Sequence, residues 1–137
     1  MPQVSGLLES SIWVDDVARA AEFYRRLFDF ETLIEDQRIC ALSVEGKQVL
    51  LLFRQGGSTG VIEIPGGVIP PFDGSGETHV AFAIPAEELA AWEARLSAQG
   101  VGIESRVRWE RGGQSVYFRD PDGNLVELVT PGCWQIY

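Results

Sequence analysis

The stretch SVYFRDPDGNLVELVT, Ser115 to Thr130, reads as a strand, a tight turn and a second strand. Pro121 after Asp120 presets a turn φ, and Gly123 supplies a positive φ at the turn's end. The flanking runs, Ser115 to Arg119 and Asn124 to Val129, are apolar with β-branched or aromatic residues, as a hairpin laid on a core requires. Glu127 breaks this pattern. It is a carboxylate between Val126 and Leu128, in a strand otherwise fit for burial. A buried carboxylate needs a paired charge, hydrogen-bond donors or a cation.

Working outward, the rest of the chain predicts matching pieces. Leu7 to Val14 reads as a strand, and Asp15-Asp16 offers N-cap oxygens. Val17, Ala20, Ala21, Phe23, Tyr24, Leu27 and Phe28 form a helical apolar stripe. Phe23, Tyr24 and Phe28, with Trp92 of a later helix, are assigned to the core. Strands are predicted over Phe30 to Glu35, Arg38 to Val44 and Gln48 to Phe53. After a Gly/Pro-rich stretch, a strand over Thr78 to Ile84 leads to a helix opened by Pro85 and stopped by Gly100. A strand over Ile103 to Trp109 precedes the final hairpin. Each half is therefore strand, helix, three strands: an α+β chain of two βαβββ modules, 5–54 and 77–130. Residues 55–76 are a connector, read as a binding loop or a spacer, and 131–137 are a tail.

Residue matches between the halves support a repeat. A shift of seventy takes Glu9 to His79, and sixty-nine takes Phe23 to Trp92. Seventy-six takes Leu51 to Glu127. Pairing the modules into a curved sheet around a cleft places these positions at its centre, and three of the four, Glu9, His79 and Glu127, are able to ligate a metal. His79 is the sole histidine of the chain. Trp13, Phe53 and Tyr117 are candidates to line the cleft against substrate. Trp134 and Tyr137 lie on the tail and are read either as a cap on a pocket or as cover for a partner subunit, and Arg38, Arg54 and Arg119 sit near strand ends as candidate grips for a substrate carboxylate.

Composition narrows the function. The 137 residues carry a formal charge of −9, which argues against nucleic acid, whose binding needs clustered Lys and Arg. No apolar run reaches membrane-spanning length, and the N-terminus lacks signal-peptide layout, so a cytoplasmic location is expected. Two cysteines, Cys40 and Cys133, are too few for a disulfide scaffold.

The runs LESSIWVDDV…FYRRLFDF, THVAFAI and VYFRDPDGNLVEL resemble the vicinal oxygen chelate superfamily. That group includes glyoxalase I, extradiol dioxygenases, methylmalonyl-CoA epimerase, and fosfomycin- and bleomycin-resistance proteins. The resemblance implies the glyoxalase/bleomycin resistance/dihydroxybiphenyl dioxygenase-like fold. It implies metal ligands at Glu9, His79 and Glu127, with Glu127 or Glu9 able to act as the catalytic base. The first of these positions is usually His, and the fourth ligand of glyoxalase I falls near Leu51, which cannot coordinate. The implied cofactor is a divalent ion (Fe²⁺, Mn²⁺, Zn²⁺, Ni²⁺ or Mg²⁺), and the implied activity is that of a lyase or isomerase on a small substrate chelated through oxygen. An Fe(II) extradiol-type dioxygenase and a metal-free binder of bleomycin-resistance type are the alternatives. A homodimer is expected, because twofold pairs are the commonest oligomers.

Overall fold

A computed structural model describes residues 1–137. They divide into two compact units, Met1–Gly76 and Glu77–Tyr137. The first contains β1 (Glu9–Val14), α1 (Val17–Phe28), β2 (Glu31–Glu35), β3 (Ile39–Val44) and β4 (Gln48–Arg54), followed by β5 (Ile62–Ile64) and β6 (Gly67–Ile69). The second contains β7 (His79–Ala83), a 3₁₀ turn over Ala86–Glu88 running into α2 (Leu89–Ala98), then β8 (Ser105–Arg108), β9 (Gln114–Arg119) and β10 (Leu125–Val129). No helix is long and apolar enough to cross a membrane.

Both units use one topology. The sheets run β1-β4-β3-β2 and β7-β10-β9-β8. In each, the first and last strands pair in parallel and the remaining pairs are antiparallel. A parallel pair needs a long crossover, and here the helix and two strands provide it. The registers coincide as well. Glu9 faces Val49 and Ser11 faces Leu51; His79 faces Leu125 and Ala81 faces Glu127. These are the seventy- and seventy-six-residue shifts of the sequence.

Local chemistry sets the helix ends. Asp16 caps α1, its Oδ1 accepting from Arg19 N at 3.1 Å. Asp29 ends it at φ 59°, its N–H donating to Arg25 O at 2.8 Å. Val17, Ala20, Ala21, Phe23, Tyr24 and Leu27 are all buried, and α1 packs on β3 and β4. Phe28 and Trp92 differ from expectation, being only half-buried. Phe28 lies in the last turn of α1 and stacks on Phe30 at 5.0 Å, at the rim of the core. In α2 only Leu96 is fully buried. Pro85 does not open α2 directly, because the chain first turns through the 3₁₀ segment, where Glu88 N donates to Pro85 O. The first strand begins at Glu9 rather than Leu7, and Leu7 and Leu8 are exposed.

The connector is more ordered than its Gly/Pro content suggested. β5 and β6 form an antiparallel hairpin. Its base is tied by Phe72 N donating to Ser58 O at 3.0 Å and by Gly56 N donating to Asp73 Oδ1 at 3.1 Å. Phe72 then packs on Phe53 at 4.8 Å between ring centroids. Gly74 passes so close to the Trp13 indole that a Cβ there would lie 2.6 Å from a ring carbon. Only glycine permits that approach.

Candidate metal centre

The second unit builds its polar face from the hairpin turn upward. Asp120 Oδ1 accepts from Asp122 N and Asn124 N, both at 2.9 Å, and Gly123 closes the turn at φ 86°. Asn124, fully buried, donates through Nδ2 to Asp120 Oδ2 at 2.9 Å. Its Oδ1 accepts from Thr78 N at 3.0 Å and Thr78 Oγ1 at 2.7 Å. The DPDGN turn thereby clamps the residue before His79. Leu125 N donates to Thr78 O at 2.8 Å, and His79 Nδ1 donates to Leu125 O at 2.9 Å.

This last bond fixes the chemistry of the imidazole. With its proton on Nδ1, the neutral ring carries its lone pair on Nε2. Nε2 lies 3.2 Å from Glu127 Oε1. Two lone-pair atoms at that separation repel unless a positive centre, a proton or a cation, lies between them.

Glu127 is 6 % exposed, so the expectation of a buried carboxylate in the last strand holds. Its other oxygen is held from behind. Trp109 Nε1 donates to Ser115 Oγ at 2.8 Å, and Ser115 Oγ donates to Glu127 Oε2 at 2.5 Å. An indole N–H can only donate, so the hydroxyl must accept from it and turn its own hydrogen to the carboxylate. Oε1 is left as the oxygen that faces His79. Tyr117 sits directly across from Glu127 in the β9–β10 register, and its ring lies 6.3 Å from that of His79. Burial, then the Glu127 charge, push the Tyr117 hydroxyl above its usual range. Burial and the same charge raise the Cys133 thiol.

The donor set fits a divalent ion. A histidine with Nδ1 committed to a carbonyl and a carboxylate with one oxygen committed to a hydroxyl is how metal ligands are ordinarily oriented, each with its remaining lone pair turned inward. Within neither unit do three His, Cys, Asp or Glu side chains converge. His79 and Glu127 are brought together; Glu9 belongs to the first unit, exposed at the start of β1.

The other predicted residues are distributed as follows. Tyr117 shares the face of Glu127. Phe53 lines a groove in the first unit, whereas Trp13 packs behind it on Phe53 and Phe72, with centroids at 6.0 and 6.4 Å. Arg119 is occupied, donating to Glu104 Oε2 and Gly123 O. In the tail, Trp134 is exposed and Tyr137 folds back, its hydroxyl donating to Ile84 O at 3.2 Å. Sequence reading missed Ser115, Trp109, Thr78 and Asn124 as the residues that orient the pair. The signal was available for Ser115, a small polar residue one strand over from Glu127 in the hairpin.

Comparison with known proteins places the chain in a family. The family model described as Glyoxalase/Bleomycin resistance protein/Dioxygenase superfamily matches residues 6–128. The metallothiol transferase FosB of Bacillus licheniformis is 31 % identical over 118 residues, covering 85 % of this chain and 70 % of that protein. The catechol-2,3-dioxygenase of Bacillus subtilis is 28 % identical over 130 residues, 92 % of this chain and 42 % of the dioxygenase. Among solved structures, a lactoylglutathione lyase from Agrobacterium tumefaciens matches with TM-score 0.88 and 30 % identity over 98 % of this chain and 99 % of the lyase. These relatives carry the names of different activities, and with the family model spanning both repeated units, the chain belongs to the Glyoxalase/Bleomycin resistance protein/Dioxygenase superfamily.

Proposed function

We propose that this chain is a divalent-metal-dependent enzyme of glyoxalase type, a lyase or isomerase acting on a small substrate that presents oxygen atoms to the ion. His79 and Glu127 hold the ion, and Glu9 is the third ligand. The observation that carries the reading is the paired orientation of His79 and Glu127. Nδ1 is spent on Leu125 O and Oε2 on Ser115, so Nε2 and Oε1 face each other at 3.2 Å. A proton shared by the pair would satisfy the same geometry, and the metal analysis below separates the two. The identity to a metallothiol transferase and a lactoylglutathione lyase supports the metal reading.

When bound, a divalent ion polarises substrate oxygens as a Lewis acid. The chain's own residues do the rest. Glu127, or Glu9, accepts a proton from a carbon beside a carbonyl. The Ser115 hydroxyl keeps Glu127 from rotating out of line. Tyr117, its hydroxyl held protonated by burial and by Glu127 and within hydrogen-bonding reach of Ser115 and Glu127, adds to the support of the carboxylate. Two chains act as a homodimer in this reading.

Elemental analysis of untagged protein against Glu9→Ala, His79→Ala and Glu127→Ala tests the proposal. Metal is expected in the parent and lost in the variants; equal content in all four rejects the site. Turnover of a methylglyoxal–thiol adduct is the expected activity. A second reading, thiol transfer, is favoured by the 31 % identity to FosB, and consumption of fosfomycin with a thiol, without turnover of the adduct, would select it. Cleavage of a catechol would select the dioxygenase alternative.

A further inference from the structure

The face of the first sheet that carries Leu51 is apolar where the matching face of the second, which carries Glu127, is polar. Ile39, Ala41, Leu51 and Phe53 form a buried cluster there. A groove of about 440 Å³ lies over it, bounded on the other side by Ile62 and Ile69 of the connector hairpin and by Phe72. That volume is within the range of small-molecule sites, roughly 300–1,000 Å³. Arg38 and Glu9 are its charged lining. The Arg38 guanidinium donates from Nη1 to Ser58 Oγ at 2.9 Å and lies 5.9 Å from the Phe53 ring centroid. Ser58 is 1 % exposed and Gly57 lies against the Arg38 side chain, where a Cβ would come within 3.0 Å of Cγ. The guanidinium is thus fixed by a neutral hydroxyl and an aromatic face, and the charge that it feels nearby is that of the exposed Asp36 carboxylate.

We propose that this groove binds an organic acid with a planar apolar body. The body lies between the Leu51–Phe53 floor and the hairpin, and the carboxylate pairs with Arg38, away from Glu9. Guanidinium donors held in a plane match a carboxylate, which Arg38 can take on the side turned into the groove. The hairpin supplies its inward side chains, Ile62 and Ile69, by alternation along two short strands. Glu9, the third ligand proposed above, lines the same groove, so the proposal deepens that reading, and the chelator arm of the test separates its failure from that of the metal site.

The test is calorimetric titration of the full chain with 3-phenylpropionate and with its neutral amide, 3-phenylpropanamide. Both are run on protein as purified and after dialysis against a chelator. Saturable binding of the acid is expected, with the amide weaker by about tenfold, the order of one lost charge-assisted hydrogen bond. Arg38→Gln should bring the acid down to the level of the amide and leave the amide unchanged. Ile69→Ala, at the groove's outer wall, should weaken acid and amide together by about fourfold or more, the order of burying at least one of the methylene groups removed. Equal affinity for acid and amide, no effect of Arg38→Gln, or no effect of Ile69→Ala would overturn the proposal. So would acid binding that disappears with the chelator, which would locate the carboxylate on the metal instead.

Discussion

Replacing Ser115 with Ala should weaken metal binding without removing any ligand. The hydroxyl is 1 % exposed and donates to Glu127 Oε2, itself in a residue 6 % exposed. A hydrogen bond to a charged group is worth about 1.5–3 kcal/mol. If that bond serves to hold Oε1 in its ligating position, the loss corresponds to roughly 10- to 150-fold in affinity, in line with the 10- to 100-fold usual for residues supporting metal ligands. Trp109→Phe keeps most of the ring but removes the N–H that orients the hydroxyl, and should cost about 1 kcal/mol, or fivefold. Because Trp109 acts through Ser115, adding Trp109→Phe to Ser115→Ala should change nothing further. Ser115→Thr, which keeps a hydroxyl, should restore most of the affinity. Titration with Mn²⁺ by calorimetry reads all four variants. The relay is refuted if Ser115→Ala binds as tightly as the parent, or if the two losses simply add.

Glu127→Gln preserves shape and the acceptor for Ser115 while removing the charge; the protein should stay folded by circular dichroism and lose metal affinity by about 100-fold or more, the cost of a ligand's charge near a buried cation. Leu51→Glu places a carboxylate at the matching position of the first sheet, among Ile39, Ala41 and Phe53, where no hydroxyl stands behind it; several kcal/mol of an ordinary 5–15 kcal/mol should be lost, and a thermal midpoint unchanged at pH 7 would refute this. Asp36 accepts from the N–H groups of Arg38 and Ile39, which hold its carboxyl below the usual value of 3.8. Its folded-state value is the lower one, so its contribution is present above pH 3.8 and disappears as pH falls through the folded value; Asp36→Asn should flatten the loss of thermal stability below about pH 4, and an unaltered profile would count against the assignment.

The repeat was legible because its signals are local. An Asp before an apolar stripe, a Pro-Asp-Gly turn and a lone carboxylate among β-branched residues each constrain a few neighbouring residues, and both sheets followed from them with the registers intact. Hairpin β5–β6 was hidden by its own composition. Gly60, Gly66 and Gly67 read as breakers, and a three-residue strand is too short to show alternation. The support behind Glu127 was hidden for a different reason. Trp109 and Ser115 are six residues apart and meet only because the β8–β9 turn folds one over the other; nothing in the sequence around Trp109 announces that the structure uses its N–H. The clamp from Asn124 to Thr78 spans forty-six residues, a pairing no local pattern can announce.

The two matching faces show how a polar site is accommodated on a duplicated frame. Register makes Ile39, Ala41, Leu51 and Phe53 the counterparts of Ser115, Tyr117, Glu127 and Val129. The differences are not independent. A carboxylate at 127 needs a donor behind it, which the isoleucine at the matching place could not be. A serine at 115 needs a donor of its own to fix its hydrogen, which Trp109 supplies. Beside them, Tyr117 fills the place of an alanine and brings a protonated hydroxyl to the same face. In the first unit the same positions are all apolar and pack as one cluster. Either set is self-consistent, and any single exchange between them leaves a buried polar atom unmatched or a cavity unfilled. The polar set thus behaves as a unit, and the presence of every supporting member, rather than of Glu127 alone, is the physical reason to read the second face as the one that handles charge.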